Sequence, residues 1–142
     1  MVKPYASETE VTVEKTKTQI EKLLMDFEAS AFMSGTTSGQ SVIMFEMAER
    51  KVKFVLPLPL RESFNTQKQY EQACRTRWRA LYLALRAKLE MAATGITTFE
   101  DEFLSHIVMP DGQTVGQMTR PRIAQAYKSG QVLPLLEGPK GL

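Results

Sequence analysis

The chain has 142 residues and a mass of 16.0 kDa, with 43% hydrophobic, 8% aromatic and 24% charged residues. That length predicts a single domain over 1–142, too short for a barrel enzyme or a two-domain transferase. One cysteine, Cys74, excludes an internal disulfide, and one histidine, His106, leaves no cluster for a histidine or thiolate zinc site; aspartates and glutamates leave magnesium open, but no metal and no cofactor is expected. No apolar run approaches the roughly eighteen residues of a membrane helix, and no charged start followed by an apolar stretch marks a secretory signal, which makes the cytosol the expected compartment.

A net charge of +2 conceals a strong asymmetry along the chain. Residues 1–49 carry a net −4, residues 50–88 a net +8 and residues 89–142 a net −2. A central segment of that sign attracts phosphates or an acidic protein, unless the three segments interleave in space and neutralise one another.

In chain order, residues 1–11 contain Pro4 and an alternating polar run with little to bury, which predicts a loose N-terminal arm. Thr12 reads as an N-cap for a first helix, because Val13, Ile20, Leu23, Leu24 and Phe27 recur at helical spacing up to about Glu28. Ala31–Ser34 read as a short strand, with a turn from Gly35 to Gly39. Val42–Met47 and Val52–Leu56 read as two further strands joined by Ala48–Lys51. Lys51 and Lys53 fall on the opposite parity from Val52 and Phe54, the pattern of a sheet with one wet face. Pro57, Leu58 and Pro59 then end the ladder by removing two backbone donors.

The longest periodic element begins at Thr66 or Gln67 and runs to Ala93, closed by Gly95. On its helical wheel Cys74, Trp78, Leu81, Tyr82, Leu85, Leu89 and Ala92 form one apolar stripe. Thr97 or Thr98 is expected to cap a short helix holding Phe99, Phe103, Leu104 and Ile107, with Glu100 or Asp101 completing a capping box. Met109–Gln113 is a turn signal, flanked by Val108 and Val115 as a tiny hairpin. A last helix is expected over about 119–128, with Pro121 in its first turn, Met118, Ile123, Ala124 and Tyr127 on its buried side and Gly130 as its stop. Residues 131–142 are too punctuated by Pro and Gly for regular structure and predict an irregular C-terminal tail. The fold class is therefore α+β: a small antiparallel sheet of about three strands, packed by an N-terminal helix and one long central helix, with short C-terminal helices.

The basic residues of the central helix are its most organised polar feature. Lys68, Arg75, Arg79 and Arg86 lie about 60–100° from Trp78 on one side of the apolar stripe, and Arg77 and Lys88 lie about 80–100° away on the other. A stripe of cations about 27 Å long can follow several phosphates, and the arginine fork matches phosphate bidentately. Lys51 and Lys53 would extend that surface from the sheet. The competing reading is that these long stems simply cover the edge of the core. Trp78 and Tyr82 sit at the centre of the apolar stripe, which favours core packing over base stacking. No glycine-rich turn is followed by Lys-Ser or Lys-Thr, so a phosphate-binding loop is excluded. The acidic run Glu100, Asp101 and Glu102 does not converge on a helix, His106 has no assignable catalytic partner, and Cys74 falls on the apolar stripe. No enzyme activity is indicated.

The segments Thr12-Val-Glu-Lys-Thr, Gln72-Ala-Cys-Arg-Thr-Arg-Trp-Arg-Ala-Leu, Gly95-Ile-Thr-Thr-Phe-Glu-Asp-Glu-Phe-Leu-Ser-His-Ile-Val-Met-Pro-Asp-Gly and Gly130-Gln-Val-Leu-Pro-Leu-Leu resemble a family of small tailed-bacteriophage and prophage proteins, over about residues 12–136. The resemblance carries no catalytic or binding residue across. It implies a host bacterial cytoplasm during infection, where small basic proteins serve DNA replication, recombination or counter-defence. The expectation is a non-enzymatic nucleic-acid-binding protein using Arg75, Arg79, Arg86, Lys68, Lys51 and Lys53, with Arg77 and Lys88 as a second flank. Two alternatives share the same charges: capture of a small phosphorylated nucleotide signal in an arginine-lined pocket, and inhibition or scaffolding of an acidic phage or host protein. The open edges of a small sheet also leave room for a homo-oligomer.

Overall fold

A computed structural model describes residues 2–135. Helix α1 spans Val13–Asp26 and starts where the Thr12 hydroxyl accepts the Lys15 N–H at 3.2 Å. It ends by swinging Glu28 to a φ of 70°. The Glu28 N–H then donates to the Met25 carbonyl and the Ala29 N–H to the Leu24 carbonyl, with Leu24 and Ala29 both buried at the bend.

Three antiparallel strands follow in the order β1-β2-β3: β1 over Ala31–Thr37, β2 over Gln40–Met47 and β3 over Arg50–Pro57. β1 is longer than the sequence implied, because Gly35, Thr36 and Thr37 stay in the ladder opposite Val42, Ser41 and Gln40. The β2–β3 connection is shorter, a two-residue turn at Ala48 and Glu49 with φ of 51° and 61°. Ser41, Ile43, Phe45 and Met47 of β2 and Val52 and Phe54 of β3 are buried on one sheet face. Lys51, Lys53, Met33, Met44 and Val55 lie on the other, so the expected wet face is present.

Helix α2 occupies Gln67–Ala93 and begins with a reciprocal cap, the Thr66 hydroxyl accepting from Gln69 N–H while the Gln69 side chain accepts from Thr66 N–H. Gly95, at φ 80°, follows its last turn as expected. Trp78, Leu81, Leu85 and Leu89 enter the core with Ile20 and Leu24 of α1 and the buried sheet face. Phe103 closes the far side of the core, meeting Phe45 and Phe54 edge-on with ring centroids 5.8 Å and 6.1 Å away. Each such side chain contributes about 1.5–3 kcal/mol by leaving water. The α+β fold of a small sheet packed by an N-terminal and a long central helix is the architecture observed.

Helix α3 spans Phe99–Phe103, capped by the Thr98 hydroxyl on Asp101 N–H, and continues into a 3-10 turn at Leu104–His106. The Asp101 side chain does not bond back to the Thr98 N–H and Glu100 pairs with Arg50, so the expected reciprocal box is only half formed. Ile107 and Val108 then run along β3, and the small hairpin closes between Val108 and Thr114.

Helix α4 spans Val115–Ser129 and corrects the expectation of a helix over 119–128. A reciprocal cap between Thr114 and Gln117 starts it four residues earlier, which places Pro121 in its interior. Of its expected buried side, Met118 is half-buried and the rest is not. Ile123, Ala124 and Tyr127 are exposed, Tyr127 at 89%, and Gly116 is the residue that α4 buries. A Cβ on Gly116 would stand 2.8 Å from the Ser105 carbonyl oxygen, so the close approach of α4 to the 3-10 turn requires glycine there.

The N-terminal segment is docked rather than loose. Ala6 is buried, and Gln72 and Thr76 of α2 donate to the Ser7 and Thr9 carbonyls. Residues 131–135 are irregular, as expected for the tail, and the rest of that prediction, 136–142, lies outside the described residues.

Candidate nucleic-acid interface

The two basic flanks of α2 meet different neighbours. α1 packs along the side that carries Arg75, Arg79 and Arg86. Arg79 is half-buried there, donating to the Gln19 side chain with its guanidinium 4.4 Å above the Tyr82 ring. Arg75 donates to Gln72, and its Nε is buried without a partner. Arg86 is exposed but pairs with Glu90 one turn on, at 3.3 Å. Lys68 is exposed near the N-terminus of the helix. These four therefore do not form one continuous solvent-facing strip: its middle is taken up by contacts between α1 and α2. Trp78 is 2% exposed with the Lys17 ammonium 4.9 Å over its ring, and it offers no face to a base.

The opposite flank of α2 faces β3 and the segment after α3. Arg77 is exposed and donates to the Pro57 carbonyl at the end of β3, at 2.9 Å. Lys88 donates to the Glu102 carbonyl at 2.9 Å with its ammonium 5.9 Å from the Phe103 ring. Beside β3, His106 stacks on Phe54 with centroids 3.8 Å apart and places Nδ1 3.2 Å from the Lys53 carbonyl oxygen. Burial pulls the His106 pKa below 6.5, the bond to Lys53 opposes this, and the positive charges of Lys88 and Arg120 push it further down. Arg120 is exposed on α4, brought here by the Gly116 contact.

Lys53, Arg77, Lys88 and Arg120 have no carboxylate partner among the described residues; the ion pairs there involve Lys3, Lys22, Arg50, Lys51 and Arg86. Lys51 sits beside Glu46 at 3.9 Å and Arg50 binds Glu100 at 2.9 Å. Of the residues expected in the site, Arg77 and Lys88 thus border the β3 edge on the helix side and Lys53 on the wet face of the sheet, while Arg75, Arg79, Arg86 and Lys68 lie elsewhere. Arg120 and His106 were missed as members. The Thr114-x-x-Gln117 capping signal would have placed Arg120 on a helix, but its neighbours come from tertiary packing.

The acidic run is absorbed by the fold: Glu100 by Arg50, Glu102 by Thr97, with the Asp101 N–H at the Thr98 cap. The 380 Å³ cleft beside Arg75 is also lined by Glu14 and Glu71, a poor setting for a phosphorylated nucleotide. No helix among the described residues is long and apolar enough to cross a membrane. No family model, curated protein or solved structure matches the chain.

Proposed function

We propose that the protein is a non-enzymatic nucleic-acid-binding accessory protein, of the kind that serves phage replication, recombination or counter-defence, and that it engages the phosphate backbone with the flank around the β3 edge. One observation carries this reading: Lys88 and Arg120 bring their charge to His106 at the β3 edge, Arg77 binds the end of β3 and Lys53 flanks the same strand from the other sheet face, with none of the four neutralised by a carboxylate among the described residues. Unpaired cations gathered from separate elements repel one another, and a polyanion relieves that repulsion while releasing its counterions. Arg77 and Lys88 stand eleven residues apart on one helix, about 16 Å, a span of about five base steps. The bacterial cytoplasm during infection is the setting that the sequence resemblance implies.

Fluorescence anisotropy with labelled single- and double-stranded oligonucleotides over a salt series tests the proposal. Binding that weakens steeply with salt and is reduced by Arg77→Gln supports it. Absence of binding at low salt overturns it, and capture of an acidic protein without any oligonucleotide binding would replace it with the inhibitor reading.

A further inference from the structure

The two edges of the sheet are treated differently. On β3, the Lys51 carbonyl accepts the Val108 N–H at 2.8 Å and the Lys53 carbonyl faces His106 Nδ1, so that edge is closed by the chain itself. β1 forms the other edge. Its sequence, Ala31-Phe-Met-Ser-Gly-Thr-Thr37, holds no charge and no proline, two of the devices that ordinarily protect an edge from pairing. Every residue of it except Phe32 is exposed.

The ladder phase says which backbone groups are free. The Leu58 N–H donates to the Gly39 carbonyl, continuing the β2–β3 ladder, so odd-numbered residues of β2 bond β3 and even-numbered ones bond β1. Ala31, Met33, Gly35 and Thr37 therefore face β2, and the N–H and C=O of Phe32, Ser34 and Thr36 point outward.

We infer that β1 pairs antiparallel with β1 of a second copy about a two-fold axis at Ser34, making one continuous six-stranded sheet. This register sets Ser34 against its own symmetry mate and Phe32 against Thr36, so all three outward residues of each copy bond the other, two groups each. Sliding the pair by two residues leaves one of the three unpaired within the strand. On the outer sheet face the same register sets Met33, 63% exposed, against Gly35, where a Cβ would have nothing within 4 Å. The long side chain of one copy fills the gap on the other, and the symmetry repeats the fit. Ser34 and Thr36 are exposed on the helix-facing side as well, which leaves room for the second copy. No charge lies on either strand to oppose the pairing, and an interface identical from both sides closes at two subunits. β1 lies across the sheet from the basic flank, so self-association and nucleic-acid binding are separable.

Sedimentation equilibrium from about 1 µM to about 100 µM tests this, a range that brackets the affinity of a small interface. The expected result is a rise in mass from 16.0 kDa toward twice that value. Ser34→Lys, which puts two like charges at the axis without touching a β1–β2 bond, should hold the mass at that of the monomer with an unchanged circular dichroism spectrum. Ser34→Cys should give a covalent dimer on mild oxidation, since directly opposed residues lie within disulfide reach, and Thr18→Cys on α1 should not. A monomer over the whole range, or a dimer indifferent to Ser34→Lys, overturns the inference. If Ser34→Lys fails to fold, the oxidation of Ser34→Cys alone decides: no covalent dimer means no pairing at β1.

Discussion

Removing charge from the two flanks of α2 should give opposite signatures. Four basic side chains, Lys53 on the wet sheet face and Arg77, Lys88 and Arg120 on the helix side, flank the β3 edge without carboxylate partners among the described residues. If each neutralises one phosphate of duplex DNA, the slope of log K against log salt is about −0.9 per contact, or about −3.6 in total. A fourfold rise from about 50 mM to about 200 mM salt then weakens binding about 150-fold. Arg77→Gln should reduce the slope to about −2.7 and the same salt step to about 40-fold, with Arg120→Gln behaving alike. Lys88 is best left intact, because its ammonium also holds the Glu102 carbonyl. Arg79→Gln is the counter-test. It loses the bond to Gln19 and the stacking on Tyr82, costing about 1–2 kcal/mol and lowering the melting temperature by about 3–6 °C, while the salt slope stays as it was. Anisotropy titrations in a potassium chloride series, paired with thermal melts, separate the two. A slope that follows Arg79 and ignores Arg77 and Arg120 would refute the assignment of the flank.

Other consequences can be measured on the free protein. The Ala48-Glu49 turn holds two non-glycine residues at positive φ, so replacing it by Asn-Gly should raise stability by about 1–2 kcal/mol in urea unfolding. Gly116→Val should cost about 1–3 kcal/mol and increase amide exchange in α4, because the Ser105 carbonyl is backbone and cannot give way cheaply; unchanged exchange would show that α4 docks otherwise. His106 has a folded pKa below 6.5, so the unfolded chain takes up its proton first as pH falls. Stability due to this group is therefore complete above about pH 6.5 and declines below it until the folded pKa is passed, and His106→Gln should flatten that decline.

The elements legible in the sequence are those whose own periodicity decides them. α1 and α2 follow from apolar residues at helical spacing, with Thr12 capping the first and Gly95 closing the second, and the wet face of the sheet follows from the parity of Lys51 and Lys53. α4 starts earlier than the Pro121 signal implies, because Thr114 and Gln117 satisfy the free N–H groups four residues before the expected start and leave Pro121 inside the helix. Its exposed Ile123 and Tyr127 show the limit of the periodicity argument: apolar spacing identifies a helix face but does not supply anything to cover it.

The candidate site illustrates a different limit. On a helical wheel the two basic flanks of α2 are equivalent, both bordering the apolar stripe at similar angles. What distinguishes them is which neighbour arrives on which side. α1 comes down beside Arg75 and Arg79, two side chains that meet amides and a ring in place of solvent. α3 and the segment after it come down on the other side, where the α3 backbone, rather than its carboxylates, contacts Lys88 and where Val108 and His106 close the β3 edge. A backbone carbonyl orients a cation without cancelling its charge. The same strand addition thus does two things at once: it removes β3 as a pairing edge, leaving β1 as the open one, and it gathers uncancelled positive charge where β3, α2 and α4 meet.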